Sequence, residues 1–443
     1  MRAPFPAVWL SARGIWALLG LGVLVALASL VPALALVSLA AGALTAAALV
    51  VDFLYGPGPR ALRISRDPVE YVALRRRAQV TYRIENRSEL SVRVGILETP
   101  VATLDFDADA LEVALEPRSR TAATQTFLPR DRGRARFGTI YAWAENRLGL
   151  LRRRFAFDGA QEVRVFPDLS AVEGYGLLAR RSTLLDAGLR KMRRRGVGNE
   201  FESLREYAAG DAFRAIDWKA TAHRGRLMVA QHEVERSQNV LVVLDAGRMM
   251  WPRVGAQRKF DYAVTAALSV AKIAQAAGDN VGLIAFGAKP LLTLAPRRGA
   301  AHVNALAQAV YDLQPRLEEP DYELTFGEIR RRYGKRSLIV LFTDMFDPAT
   351  SANVLSGLAI LAPPHLVLCV LMNDAAITAA LAAEPRDEAA AYRASVALTL
   401  LEERGRAIAT LRARGIIVLD VPAAELTVAL LDAYLDVKGR GLL

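Results

Sequence analysis

Hydrophobic and polar positions divide this chain into three patterns. From Ile15 to Val51 there is no charged residue. At about 1.5 Å per residue that run would make a helix of roughly 55 Å, too long for one straight crossing of a roughly 30 Å hydrocarbon core. Pro32 divides it into 17 and 19 residues, so the pattern predicts two transmembrane helices joined by a tight turn near Leu30–Ala33. From about Ala61 to Leu169 apolar residues alternate with polar ones, as in Val80, Tyr82 and Ile84, or Val92, Val94 and Ile96, or Leu111, Val113 and Leu115, or Val163 and Val165. Period two with polar turns such as Glu85-Asn86-Arg87-Ser88 predicts antiparallel strands, about seven or eight of them, in an immunoglobulin-like sandwich.

From Asn239 onward continuous apolar runs alternate with helical segments. The runs are NVLVVLD to Asp245, Val281–Phe286, Leu291–Leu294, SLIVLFTD to Asp344, LVLCVLM and IIVLDV. Helices are expected near Arg258–Ala277, His302–Leu313, Ala352–Leu361, up to about Arg414, and Glu425–Val437. Apolar strands separated by amphipathic helices predict a parallel sheet covered on both faces, a doubly wound α/β domain with ligands at the carboxyl ends of its strands. The expected division is a transmembrane hairpin over 1–55, a β-sandwich over 60–169, a connector over 170–236 and the α/β domain over 237–443.

Charge places the hairpin. Arg2 and Arg13 precede it, Arg60, Arg63 and Arg66 follow it, and its turn carries none. The positive-inside rule then puts both ends, and the soluble domains, in the cytoplasm. A cleaved signal peptide is the rival reading, but the second apolar run would still anchor the chain. The net charge of +11 is spread among 46 acidic residues, which suits a membrane face and not nucleic acid. The basic run Arg190–Arg195 is either a lipid or partner contact or a solvated linker. One cysteine, Cys369, excludes an intramolecular disulfide and a cysteine metal cluster; inside LVLCVLM it packs as a small hydrophobe.

Gly196–Glu235 is dense in charge and aromatics. Glu200, Arg205, Glu206, Asp211, Arg214, Asp217 and Lys219 are threaded among Phe201, Tyr207, Phe213 and Trp218, with Gly196, Gly198 and Gly210 for turns. A solvated loop does not need four large rings, so a cross-linked, partly buried connector is expected, with Asp211 and Asp217 available to pair with Arg205 or Arg214. The chain has no GxxxxGK[ST], and GVGNEF lacks a third glycine and a preceding strand, so phosphate-loop and dinucleotide readings fall. His223, His232, His302 and His365 show no metal-ligand spacing, and the elbow Asp245-Ala246-Gly247-Arg248-Met249 has no serine nucleophile.

The order of these regions, with GNEFESLREYAAGDAFRAIDWKATAHRGRLMV leading into VVLDAGRMM, resembles the bacterial domain-of-unknown-function family fifty-eight. The resemblance spans nearly the whole chain and is most specific at Phe201, Leu204, Arg205, Tyr207, Gly210, Asp211, Arg214, Asp217, Trp218, Lys219 and Leu227. Thr221 stands where the family usually has serine, and His223 where arginine is usual. The resemblance implies a last domain of von Willebrand factor type A kind and association with MoxR-type AAA+ ATPases. Such domains often hold Mg²⁺ at Asp-x-Ser-x-Ser with a later threonine and aspartate. Asp245 and Asp344 match the two aspartates, but Gly247 and Met249 replace both serines, so a Mg²⁺ site here would be degenerate. Otherwise the two aspartates end strands and cap the helices that follow, and Asp347 could serve either arrangement.

The resulting expectation is a membrane-anchored cytoplasmic adaptor, not an enzyme, that binds a MoxR-type ATPase in assembly or maturation of membrane or envelope complexes. Glu200, Phe201, Leu204, Arg205, Tyr207, Gly210, Asp211, Arg214, Asp217, Trp218, Lys219 and Leu227 would form the partner or interdomain surface. The alternatives are a metal-dependent hydrolase using Asp211, Asp217, Asp245 or Asp344, and a purely structural membrane protein without an ATPase partner.

Overall fold

The structure is a computed structural model that describes residues 8–442 except 59, 100, 108–109, 171, 173–199, 209–212, 214–215, 234–237, 346–347, 363 and 386. It forms two compact units, Met1–Phe166 and Pro167–Leu443. In the first, helices α1 (Ala12–Leu30) and α2 (Ala35–Tyr55) meet at the single turn Pro32–Leu34. Both are long and apolar enough to cross a membrane, and almost none of their surface is buried by protein.

A short strand β1 (Val8–Leu10) precedes α1, and eleven strands follow α2 among the described residues. They are β2 (Leu62–Arg66), β3 (Tyr71–Ala73), β4 (Ala78–Asn86), β5 (Val92–Glu98), β6 (Leu104–Phe106), β7 (Leu111–Leu115), β8 (Arg120–Pro129), β9 (Gly133–Phe137), β10 (Ile140–Glu145), β11 (Leu151–Phe157) and β12 (Gln161–Phe166). Seven or eight were expected; three-residue strands such as β3 and β6 are too short to show an alternation. The sheets run β1-β11-β10-β5-β7, β2-β4-β8-β6 and β3-β12-β9. Val80, Tyr82 and Ile84 of β4, Val94 and Ile96 of β5 and Val163 and Val165 of β12 share one core, so the alternating positions point into a β-sandwich.

In the second unit β13 (Glu200–Glu206) and β14 (Met228–Glu233) pair antiparallel around helix α3 (Trp218–Arg224). The six-stranded sheet holds β15 (Asn239–Asp245), β18 (Asn280–Phe286), β19 (Pro290–Arg297), β20 (Leu338–Phe342), β21 (Leu366–Asn373) and β22 (Ile417–Pro422). Between the first two lies the small ribbon β16 (Arg253–Val254) and β17 (Gln257–Arg258). Strand order is β19-β18-β15-β20-β21-β22, all parallel except the edge strand β19. An antiparallel edge was not expected; only a short turn separates β18 from β19, too few residues for a crossover.

Helices α4 (Lys259–Ala276), α5 (Ala300–Val310) and α10 (Leu426–Gly439) cover one face, and α6 (Tyr322–Arg332), α7 (Pro348–Leu361) and α9 (Glu388–Ala413) the other; α8 (Ala375–Ala382) precedes α9. Val240, Val242 and Leu244 join one core, Leu241 and Val243 the other, which is why the strand reads as an unbroken apolar run. The order reverses between β15 and β20, the point where a doubly wound sheet opens a crevice at its carboxyl edge.

Candidate functional site

Asp245 ends β15, and Thr343-Asp344 follow β20 directly, so both aspartates arrive at that crevice. Each is fully buried. Asp245 is satisfied by neutral donors. Its Oδ2 accepts from the Tyr322 hydroxyl at 2.6 Å and the Thr343 hydroxyl at 2.7 Å, and Oδ1 accepts from the Gly247 N–H at 2.7 Å. Tyr322 is the first residue of α6, whose end is fixed by Asp321 accepting from Leu324 N–H at 2.9 Å. Its ring stands edge-on to Phe286 at 5.4 Å. Burial pushes the Asp245 carboxyl up; its three donors pull it back, and the Asp344 charge pushes up again. Burial and the Asp245 charge hold the Tyr322 hydroxyl well above its ordinary value, which keeps it a proton donor.

Asp344 is satisfied by cations. Lys259 Nζ donates to Oδ2 at 2.5 Å, while Arg404 and the Met345 N–H donate to Oδ1. Arg404 also donates to Met345 O at 3.0 Å and to Asp420 Oδ1 at 2.8 Å. The side chains of Lys259 and Arg404 are 4% and 3% exposed. Lys259, Asp344, Arg404 and Asp420 therefore form an alternating chain of two positive and two negative groups, the condition under which buried charge is tolerated. Burial works against the Arg404 charge, but Asp344 and Asp420 outweigh it and raise its pKa. Behind this chain Cys369 is fully buried on β21, and burial pushes its thiol up to about 12. It is a packed, unreactive sulfur.

These residues do not fit Mg²⁺, which wants about six hard oxygens. The carboxylate oxygens of Asp245 and Asp344 all accept from protein donors, and an ammonium already sits on Asp344. A Cβ at Gly247 would stand 2.7 Å from Pro320 Cδ and 3.0 Å from Asp245 Oδ1, so a serine cannot take this position without moving the loop. Among the described residues no group of three His, Cys, Asp or Glu is arranged for a metal. The expectation of a degenerate Asp245–Asp344 metal site is corrected accordingly: the place of the cation is taken by Lys259. Among the described residues the backbone donors to the two aspartates are Gly247 N–H on Asp245 and Met345 N–H on Asp344. Asp347 lies outside the described residues.

In the connector, β13 and β14 pair with Leu204 opposite Ala230 and Arg205 opposite Val229, with a bulge between Phe201 and Ser203. Glu200, Phe201, Leu204 and Arg205 enter through this backbone ladder. Tyr207 N–H continues it to Leu227 O at 2.9 Å. Asp217 caps α3, accepting from Ala220 N–H at 2.9 Å; the side chains of Arg205 and Arg214, its expected partners, lie outside what is described. Gly225, at φ 68°, closes the helix. Thr221 accepts from Met228 N–H at 3.0 Å, a role that the serine usual in the resembled family would fill equally. Ile216, Met228 and Val229 are buried. Phe213 and Trp218 are not: they pack edge-on at 5.6 Å and remain 69% and 57% exposed, with Leu227 at 43%. Tyr207 is half-buried, so the described rings of the connector are partly and not uniformly buried. Lys219 is exposed beside them. Gly210, Asp211 and Arg214 lie outside the described residues, as does the Arg190–Arg195 run.

Lys259, Tyr322, Thr343 and Arg404 complete the site and were not anticipated. The available signal is a lysine opening the largely buried helix KFDYAVTAALSVAKIAQA.

Residues 203–381 match a family model described as "Protein of unknown function DUF58". An uncharacterized protein of Mycobacterium tuberculosis is 24% identical over 181 residues, 40% of this chain. A Mycobacterium bovis protein matches to the same extent. The chain covers 56% of the length of these relatives. The uncharacterized protein YeaD of Bacillus subtilis is 44% identical over 43 residues, 10% of this chain and 11% of that one. Among solved structures, the CARDB domain of PF1109 from Pyrococcus furiosus aligns over 24% of this chain and 94% of its own, at 15% identity and a TM-score of 0.17. A protein of unknown function from Porphyromonas gingivalis aligns over 26% of this chain and 50% of its own, at 14% identity and a TM-score of 0.20. The family match opens in β13 and ends in α8, and it takes in the exposed aromatic pair and both strand-edge aspartates.

Proposed function

We propose that this chain is a membrane-anchored adaptor that carries a protein-docking face on its α/β unit. On this reading the whole chain is a member of the DUF58 family, the sandwich is immunoglobulin-like, and the α/β unit is of von Willebrand factor type A kind. The 3-2-1-4-5-6 strand order and the strand-edge aspartates support that last assignment. The soluble units face the cytoplasm, and the partner is a MoxR-type AAA+ ATPase acting in assembly or maturation of membrane or envelope complexes. One observation carries the reading: Phe213 and Trp218 are joined edge to edge yet stand open to solvent beside Leu227. Exposed rings of this kind anchor protein interfaces, and Trp218 opens α3, which Asp217 and Gly225 cap.

The carboxyl edge supports the same reading from the other side. Its carboxylates are engaged by Tyr322, Thr343, Lys259 and Arg404, which suits a supporting role for the crevice.

Crosslinking in native membranes followed by mass spectrometry tests the proposal on the parent and on Phe213→Ala/Trp218→Ala. An AAA+ ATPase crosslinked to the parent and reduced at least tenfold in the variant is the expected result. Equal recovery from both would move the interface off this surface. Recovery from neither would remove the ATPase.

A further inference from the structure

The foot of the helix hairpin is fastened to the sandwich at one point, the tip Asn146–Leu150 joining β10 to β11. On the α1 side, β1 pairs with β11 through Leu10–Leu151 and Val8–Arg153. Ser11 N–H donates to Leu150 O at 2.8 Å, and the Ser11 hydroxyl donates to Gly149 O. At Gly14 any Cβ would stand 2.4 Å from Leu150 O, so glycine lets the helix rest on the tip. On the α2 side, Asp52 is 2% exposed and its Oδ2 accepts from Leu150 N–H at 2.9 Å and Leu151 N–H at 2.6 Å. Arg153 donates to Phe53 O and lies over the Phe53 ring at 4.9 Å. The height of the tip relative to the helices is therefore fixed.

At that height the tip presents Arg147 and Leu148, both exposed, Leu148 at 48%. Arg13 lies against Gly149 of the tip and Arg60 follows the end of α2; both are exposed, as are the rings of Trp16, Phe53 and Tyr55. Arg13, Arg60 and Arg147 pair with no carboxylate among the described residues, whereas Arg118 pairs with Glu89 and Arg152 with Glu145. Aromatic rings and unpaired arginines at the end of an apolar helix pair match the headgroup level of a bilayer, and the cations match anionic lipid.

We infer that this tip and the hairpin foot form a docking surface for an anionic phospholipid bilayer, with Leu148 entering the interface and Arg13, Arg60 and Arg147 holding lipid phosphates. The inference rests on the reading of α1 and α2 as membrane spans.

Site-directed labelling of the full chain in phospholipid nanodiscs tests it. Cys369 is fully buried, so a cysteine placed elsewhere takes the fluorophore. Labels go at Leu148→Cys, at Val23→Cys in the middle of α1, and at Asp158→Cys. Asp158 follows the far end of β11, about 20 Å from the tip for a strand of this length. Quenching is read with nitroxide carried on phosphatidylglycerol or on phosphatidylcholine. The expected result is quenching at 148 and 23 but not at 158, with phosphatidylglycerol several-fold more effective at 148. That preference should vanish in Arg13→Gln/Arg60→Gln/Arg147→Gln and shrink in high salt, where the Debye length falls to about 3 Å. Quenching at 23 without quenching at 148 would overturn the docking surface and leave the spans standing. Equal quenching by both lipids would overturn the anionic preference. No quenching at 23 would remove the spans and the inference with them.

Discussion

The amino and carboxyl edges of the six-stranded sheet both bury a lysine against an aspartate. At the amino edge Lys438 of α10 donates to Asp279 at 2.6 Å, and the Tyr434 hydroxyl donates to the same oxygen at 2.5 Å. At the carboxyl edge Lys259 of α4 donates to Asp344 at 2.5 Å, but Arg404 joins it and carries the chain on to Asp420. Ligands of doubly wound folds sit at the carboxyl edge, so the amino-edge triad is a control for what a buried Lys–Asp pair does when there is nothing to bind. It staples a helix to the sheet. The carboxyl-edge cluster does the same with twice the charge, in the place where a related fold would keep a carboxylate open.

The largest test of this comparison is Asp344→Ala. It leaves Lys259 and Arg404 buried with Asp420 alone to oppose them, at a cost of about 3–5 kcal/mol. Asp279→Ala leaves one lysine, 8% exposed, and the Tyr434 hydroxyl without their acceptor, and costs about 3 kcal/mol, the lower end of the same range. Hydrogen exchange at the amides of β20 and β15 reads both. A larger loss from Asp279→Ala would break the asymmetry. Next comes Asp245→Asn, which turns one oxygen toward Tyr322 and Thr343 into a donor but strands no charge. Its cost should be about 1–3 kcal/mol, below that of Asp344→Ala, by the same exchange measurement. A cost above it would mean that Asp245, and not Asp344, holds the edge together.

How much of this was legible follows from chain distance. NVLVVLD and SLIVLFTD announce buried strands with an aspartate at the edge, because nothing but a two-faced core explains so long an apolar run. Their partners are out of reach of any local pattern: Lys259 and Arg404 lie 85 and 60 residues from Asp344. A charged residue on an amphipathic helix is read as solvent-facing unless the fold is known. Tyr322 is hidden differently, since YELTFGEIRRR is polar enough to escape notice as a helix, though four of its residues are buried. At the connector the failure runs the other way. Phe213 and Trp218 suggest burial by residue type, but type cannot say whether the burying surface belongs to this chain. Asp217 ahead of WKATAHRG is a capping signal that the surrounding charges obscured.

His365 sharpens the comparison at the amino edge, where the chain enters β21 through Leu366 N–H donating to Ser337 O at 3.1 Å. The ring is 4% exposed and, among the described residues, neither nitrogen has a partner. Burial lowers its pKa, and the Arg330 charge lowers it further. The unfolded chain titrates this group near pH 6.5, so it binds the proton before the folded chain does. The contribution of His365 is therefore fully present above about pH 6.5 and is lost as pH falls through that value toward the depressed folded pKa. Exchange rates at the β21 amides in the parent should rise between pH 6.5 and 5 by more than the intrinsic pH trend, and His365→Leu should remove that excess. Nothing comparable is expected from Arg404, whose pKa Asp344 and Asp420 raise. An excess that survives in His365→Leu would assign the acid sensitivity to the carboxyl edge, and the two edges would then differ in the opposite sense.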